Sequence, residues 1–289
     1  MREIAVISGK GGTGKTSLVA AFAALAEGPV LADCDVDAAD LHLVLEPRVR
    51  EQHAFDGGLS ASIDPELCSE CGICRDLCRF EAIDPYFVID PFACEGCGVC
   101  ADHCPEGAVG LEREIAGRWF VSETRFGPMV HAKLGIAQEN SGKLVAKVRG
   151  RAREIALERG LELLLTDGSP GIGCPVISSL TGADLVLVVT EPTLSGLHDL
   201  SRVLELTAHF GIPSAVCINK FDLNPDQAGR IERAAEEAGA AFAGRIPYDR
   251  LVTDAMVARK TFVEHDEGPA RRAAIEVWER TRELANGKK

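Results

Sequence analysis

The sequence predicts an α/β protein whose doubly wound, mostly parallel sheet is interrupted by a small inserted α+β module. Three observations carry this. Short apolar runs alternate with helical stretches, a glycine-rich loop follows the first run directly, and eight of the eleven cysteines lie between Cys68 and Cys104. Strands this apolar belong in the centre of a sheet covered on both faces.

Residues 3–8 form the first apolar run, and Gly9–Gly14 the loop. An Ala/Leu-rich helical stretch follows from Lys15 to Glu27, then a second apolar run from Val30 to Cys34. Strand, loop, helix and strand make a βαβ unit and hence a parallel sheet. From about Leu45 to Gly117 periodicity is weak, and Cys, Pro and Gly dominate. Alternation resumes with a helix over Ala146–Arg159 and a buried strand over Leu161–Asp167. The strand Ala183–Thr190, helix Ser195–Phe210, strand Pro213–Asn219, helix Pro225–Ala238 and strand Ala241–Ile246 follow, and two helices close the chain. The expected division is residues 1–58 with 113–289 as one discontinuous domain, and 59–112 as the insert.

Composition narrows the class. The chain has 289 residues, 46% hydrophobic and 26% charged, with a formal charge of -13, so its surface repels nucleic acid and anionic lipid. The one basic cluster, Lys143 to Arg153, has the spacing of a helix surface. Met1-Arg2-Glu3 runs straight into a strand, which predicts no signal peptide, and no apolar run approaches the roughly 20 residues of a membrane span. A cytoplasmic location is expected, where thiols stay reduced and a disulfide framework is disfavoured.

Gly9-Lys10-Gly11-Gly12-Thr13-Gly14-Lys15-Thr16 fits G-x-x-x-x-G-K-[ST]. The glycines let successive backbone N–H groups face phosphate oxygens, Lys15 reaches the terminal phosphates, and the Thr16 hydroxyl suits Mg²⁺. Ser17 continues into the helix, whose N-terminal end favours anions. Lys10 is a second lysine in the loop; read locally, it is a solvated charge on a turn.

Cys68-x2-Cys71-x2-Cys74-x3-Cys78 is followed by Cys94-x2-Cys97-x2-Cys100-x3-Cys104-Pro105. This is the two-cluster bacterial ferredoxin spacing, in which the fourth cysteine of each run ligates the other [4Fe-4S] cluster. Cluster 1 takes Cys68, Cys71, Cys74 and Cys104; cluster 2 takes Cys94, Cys97, Cys100 and Cys78. Zinc is the rival reading, but two complete runs overshoot its two pairs. Arg79 stands where the first run usually has proline, which alters a turn and removes no ligand. The runs repeat with a period of about 26 residues, and so small a module needs its clusters as staples. Cys34 and Cys217 sit on apolar strands and read as core.

The run from Lys10 to Thr16 resembles the deviant Walker A signature of the MinD/ParA and nitrogenase iron protein superfamily. Glu123–Ala132, read as strand–turn–strand, with Glu139–Lys143 and Pro170–Pro175, is similar to members carrying an inserted two-[4Fe-4S] ferredoxin domain. The resemblance implies a P-loop NTPase fold, ATP and Mg²⁺ as ligands, and slow ATP hydrolysis dependent on a dimer or partner. It further implies an ATP-dependent homodimer in which Lys10 crosses to the neighbour's ATP. Asp35 is then the carboxylate that orients the attacking water, and Asp167 the Walker B residue that holds Mg²⁺ with Thr16. Gly168–Gly171 reads as the γ-phosphate switch, with Gly171 at its turn. Asn219 and Lys220 serve the adenine, and Pro247, Tyr248 and Asp249 close over the adenosine. Asn219-Lys220-Phe221-Asp222 also matches the guanine-reading N-K-x-D pattern, which keeps GTP open. Asp33, Asp37 and Asp40 are near neighbours equally readable as solvated turn acids, with Asp40 otherwise a switch or Mg²⁺-shell residue. Cys174 lies at an offset comparable to a bridging cysteine of the nitrogenase iron protein; without a convincing second thiol it reads as structural. His131 is a candidate cluster neighbour or partner contact beside its reading as an ordinary packed histidine.

Three functions follow: an ATP-gated electron carrier serving an unidentified redox or metallocluster protein, an ATP-dependent metallocluster assembly or carrier protein, and a MinD-like positioning ATPase. The last needs membrane or DNA affinity. The acidic balance disfavours DNA, and Ala270–Lys289 lacks the apolar face of a membrane anchor.

Overall fold

The computed structural model describes residues 1–91, 93–135, 141–265 and 267–287, with Glu114 and Ser141 described by backbone alone. The expected turn residues Glu139 and Asn140 lie outside the described residues. The chain divides into two compact units: Met1–Gln52, Trp119–Lys133 and Ser141–Lys289 form the first, and His53–Arg118 with Leu134 and Gly135 the second.

The first unit opens with β1 (Arg2–Ser8), α1 (Lys15–Leu25), β2 (Val30–Asp33) and α2 (Leu41–Leu45). The long strand β3 (Arg48–Ile63) leads into the second unit, which holds the short helices α3 (Ile73–Leu77) and α4 (Val99–Asp102). Strand β4 (Val109–Glu123) leads back, and the tight turn Thr124–Gly127 joins it to β5 (Pro128–Leu134). Then come α5 (Ser141–Arg159), β6 (Leu163–Pro170), α6 (Cys174–Leu180), β7 (Leu185–Thr190), α7 (Leu194–His209), β8 (Ser214–Asn219), α8 (Pro225–Glu237) and β9 (Ala241–Ile246). Three helices, α9 (Arg250–Val257), α10 (Phe262–His265) and α11 (Pro269–Asn286), end the chain where two were expected; the extra one is a single turn.

Strands β5, β2, β6, β1, β7, β8 and β9 neighbour one another in that order. Their pairings are parallel. Side chains alternate across β1 as a two-period strand requires: Ile4 and Val6 pack with α1 and α11, whereas Ala5 and Ile7 pack with α6, α7 and α8. This is the doubly wound α/β sheet the apolar runs imply. The stretch of weak periodicity from about Leu45 to Gly117 contains all of β3 and the start of β4. Nearly every residue of β3 is exposed or half-buried, so burial imposes no apolar alternation on it.

Charge is buried at the N-terminal edge of the sheet. Glu3 and Arg149 are both about 3% exposed, and the Glu3 carboxylate accepts from Arg149 and, at 2.7 Å, from Arg153 Nε. Arg149 also donates to the Thr181 carbonyl at 3.0 Å, tying α5 to the end of α6. The basic cluster read as a helix surface is therefore partly a buried tie. Replacing Glu3 by alanine leaves a guanidinium buried and unpaired, and urea denaturation should show a loss of about 3–5 kcal/mol.

His131 on β5 is half-buried, hydrogen-bonded to Ser122 at 2.9 Å and stacked on Phe120 at 5.0 Å. Burial and the nearby His42 pull its pKa from 6.5 to about 4. The unfolded chain therefore takes up a proton near pH 6.5 that the native state refuses until about pH 4. This contribution to stability is full above pH 6.5 and is lost as pH falls toward 4. His131→Phe should flatten the pH dependence of the urea midpoint across that window; coincident slopes for the two proteins would refute the assignment.

Candidate functional site

The C-terminal ends of β1, β2, β6 and β8 meet around the glycine loop, the position where parallel sheets open a crevice. A cleft of about 550 Å³ lies there, lined by Gly11–Leu18, Asp35, Asp37, Asp40, Ser169, Pro170, Asn219 and Lys220, with Val252, Met256 and Phe262 as its apolar wall. The loop geometry requires its glycines. Gly14 has φ +85°, and a Cβ there would sit 2.4 Å from Asn219 Nδ2. At Gly9 a Cβ would sit 2.4 Å from the Asp199 Cβ. Gly12 is also left-handed, at φ +80°.

Lys15 is about 6% exposed, so its ammonium must be paired. Its Nζ lies 2.6 Å from Asp167 Oδ1 and 3.6 Å from Asp35 Oδ2. Burial acts against the charge, but Asp167, Asp35 and Asp33 together outweigh it and raise the Lys15 pKa. Thr16 Oγ1 is 3.4 Å from the same ammonium. Asp33 pairs in register with Asp167 across β2 and β6 and is fully buried. Burial, reinforced by Asp167, pushes its pKa well above the usual carboxylate range. Asp35 is raised too, first by burial and against the pull of Lys15. Asp33 Oδ2, Asp167 Oδ2 and Thr13 Oγ1 are buried without a hydrogen-bond partner. A spare buried carboxylate oxygen on Asp167, with the Thr16 hydroxyl near the same ammonium, is the donor set a hard cation takes, so Mg²⁺ fits here.

Asn219 Nδ2 donates to the Thr13 carbonyl at 2.8 Å, binding β8 to the loop. Lys10 Nζ lies 3.5 Å from Glu191 Oε2 and 3.4 Å from Ser195 Oγ, and Lys220 Nζ lies 2.6 Å from Glu191 Oε1. Glu191 thus anchors both lysines; it follows the buried strand end Thr190, and no local pattern singles it out. Gly171 turns at φ +94° and donates its amide to the Ser8 carbonyl. Of the expected adenosine-closing residues, none of Pro247, Tyr248 and Asp249 is among the lining of the cleft. Asp249 caps α9 through the Leu251 amide at 3.0 Å, and the Tyr248 amide donates to Asp222. Cys174 is exposed at the start of α6, and Cys34 and Cys217 are buried.

In the second unit, Cys68, Cys71, Cys74 and Cys104 line one cavity with Ile63, Ile73, Phe87 and Val109. Cys78, Cys94, Cys97 and Cys100 line another with Phe80, Ile83 and Ile89. The left-handed glycines Gly72 and Gly98 start α3 and α4 inside the two runs. Burial raises the Cys74 thiol, and Cys68, Cys71 and Cys104 add to it; burial raises Cys100, with Cys94 and Cys97 adding. Among the described residues no three His, Cys, Asp or Glu side chains converge on a single ion. The thiols ring two apolar cavities instead, and four thiolates around an apolar space are the donor set of an iron–sulfur cube.

Among the described residues no helix is long and apolar enough to cross a membrane. Residues 4–262 match the CobQ/CobB/MinD/ParA nucleotide binding domain. The chain is 33% identical over 225 residues to an uncharacterized protein of Methanocaldococcus jannaschii, covering 77% of this chain and 79% of that one. It is 24% identical over 153 residues to an iron-sulfur cluster carrier protein of Pyrococcus furiosus, covering 48% of this chain and 51% of that one. The septum site-determining protein MinD of Pyrococcus horikoshii, solved with Mg-ADP, aligns with a TM-score of 0.62 at 18% identity, over 100% of this chain and 98% of that one.

Gly14→Ala should abolish nucleotide binding, measured with a fluorescent ATP analogue, and cost about 1–2 kcal/mol of stability from the left-handed backbone alone. Retained binding would show that the loop tolerates a Cβ against Asn219.

Proposed function

The chain belongs to the CobQ/CobB/MinD/ParA nucleotide-binding family, and from that premise we propose an ATP-binding and ATP-hydrolysing iron–sulfur protein in which nucleotide state governs electron transfer to a partner protein. The observation that carries this is the pair of cavities, each ringed by four cysteines drawn from both runs, on the same chain as a phosphate-loop cleft. Each cavity would hold one [4Fe-4S] cluster, and bound clusters supply one-electron storage. The domain boundaries proposed are 1–58 with 113–289 for the ATPase and 59–112 for the ferredoxin-like insert.

ATP would lie along the loop, its phosphates on the backbone N–H groups of Gly11–Thr16 and its base near Asn219. Lys15 exchanges its carboxylate partners for phosphate oxygens. Asp167 and Thr16 hold Mg²⁺, and Asp35, at the cleft, orients the attacking water. Lys10 would leave Glu191 and Ser195 to complete the site of a second copy in an ATP-dependent homodimer. Neither nucleic acid nor a membrane is proposed as a partner.

A second reading, cluster assembly or carriage, is favoured by the partial likeness to the Pyrococcus furiosus iron-sulfur cluster carrier protein. Labelled iron moving from this chain to an apo-protein would put that reading first.

Anaerobically purified protein should contain inorganic sulfide and, once reduced, give the EPR signals of two cubane clusters, with potentials or oxidation rates that shift on adding Mg-ATP. Identical potentials and rates with and without nucleotide would remove the coupling. Asp35→Asn should slow ATP turnover by about 100-fold or more while nucleotide binding is kept; turnover near the wild-type rate would take Asp35 out of the chemistry.

A further inference from the structure

Between Cys78 and Cys94 the chain makes an excursion of fifteen residues, which the second run lacks because Cys104 leads almost directly into β4. Ile83 and Ile89 bridge in antiparallel fashion at its base. Asp84 fixes the tip: its Oδ1 accepts from the amides of Tyr86 and Val88, both at 2.8 Å, and its backbone pairs with Val88 and Phe87. Phe87 is held at φ +60°, a conformation that bulky L residues rarely adopt and that marks a structurally imposed turn. Phe87 reaches the cavity of Cys68, Cys71, Cys74 and Cys104, while Tyr86 and Val88 stand out at 85% and 61% exposure. All three residues line a cleft of about 350 Å³ whose lining also includes Cys68 itself and Glu70.

A hydrogen-bonded turn that presents a tyrosine to solvent beside a cysteine site has the aromatic anchor on which interface centres rely. Its surroundings define the partner. Glu70 lines the cleft with them and the Arg75 guanidinium stands 5.9 Å over the Phe87 ring, within a module that holds thirteen acidic and four basic residues between His53 and Arg118. Nucleic acid, anionic membranes and a second copy of the same module are repelled by such a surface; a cationic protein is attracted and oriented.

We propose that the Tyr86–Val88 loop is the docking tip for a redox protein presenting a positively charged face with an apolar centre, and that the group held by Cys68, Cys71, Cys74 and Cys104 is the one that exchanges electrons with it. This rests on the reading that the cysteine cavities hold clusters. In the exchange one electron leaves the reduced cluster and enters the acceptor's one-electron centre; no bond forms or breaks and no proton moves.

Zinc-substituted cytochrome c, a basic and redox-inert probe, separates docking from electron flow. Titrated calorimetrically into the full anaerobic chain, it should bind with an affinity that falls with salt. The double variant Tyr86→Ala/Val88→Ser should weaken binding about tenfold or more with the visible cluster absorption unchanged. Glu70→Lys should weaken binding of the basic probe and strengthen that of an acidic flavodoxin. Electron transfer to native cytochrome c should fall in step, whereas reduction of a small dye stays constant. Wild-type spectra with unchanged binding in the double variant, or a flavodoxin that binds the wild type as well as the basic probe, overturn the docking surface alone. A wild-type chain without cluster absorption overturns instead the reading on which it rests.

Discussion

A lysine ammonium cannot be left alone inside a protein, and the first unit is organised around that constraint at Lys15. Its neighbour Asp167 lies within β6 and Asp35 two residues beyond β2, so the ion group exists only when β1, β2 and β6 are in register. Asp33 lies in the same layer, without a partner for one of its oxygens. Buried groups of one sign this close are costly unless something cationic joins them. Lys15, Asp167, Asp35 and Asp33 are therefore one group of close charges, tolerable in this layer because the ammonium and the carboxylates share it.

The second unit obeys a different rule. Its cavities are lined by thiols and by residues such as Ile63, Ile83 and Val109, and its helices are only four or five residues long. A segment with so little helical and apolar mass cannot offset chain entropy by packing alone. The interleaving of the two runs, each lending its last cysteine to the other's cavity, converts two local loops into one cross-linked body once a multivalent group is bound.

How much of this was legible depended on whether a feature is local. The phosphate loop and the cysteine runs are contiguous patterns whose chemistry is fixed by spacing, and the cavities group the eight cysteines into the sets that the spacing implies. The apolar strands were legible because both their faces are buried. Strand β3 was not, since its exposed faces carry no alternation, and α6 is a seven-residue helix too short to show a periodic pattern. Glu191 was invisible because its importance arises from two lysines distant in sequence. Nor was the cap at Asp249 visible, where the carboxylate accepts from the Leu251 amide at the start of α9.

The bond from Asn219 to the Thr13 carbonyl has a wider consequence. It clasps the glycine loop from the β8 side through a side chain, so the fold itself helps to fix the shape of the loop. The entropy of shaping those backbone amides is spent during folding, and an arriving ligand keeps more of its contact energy as affinity.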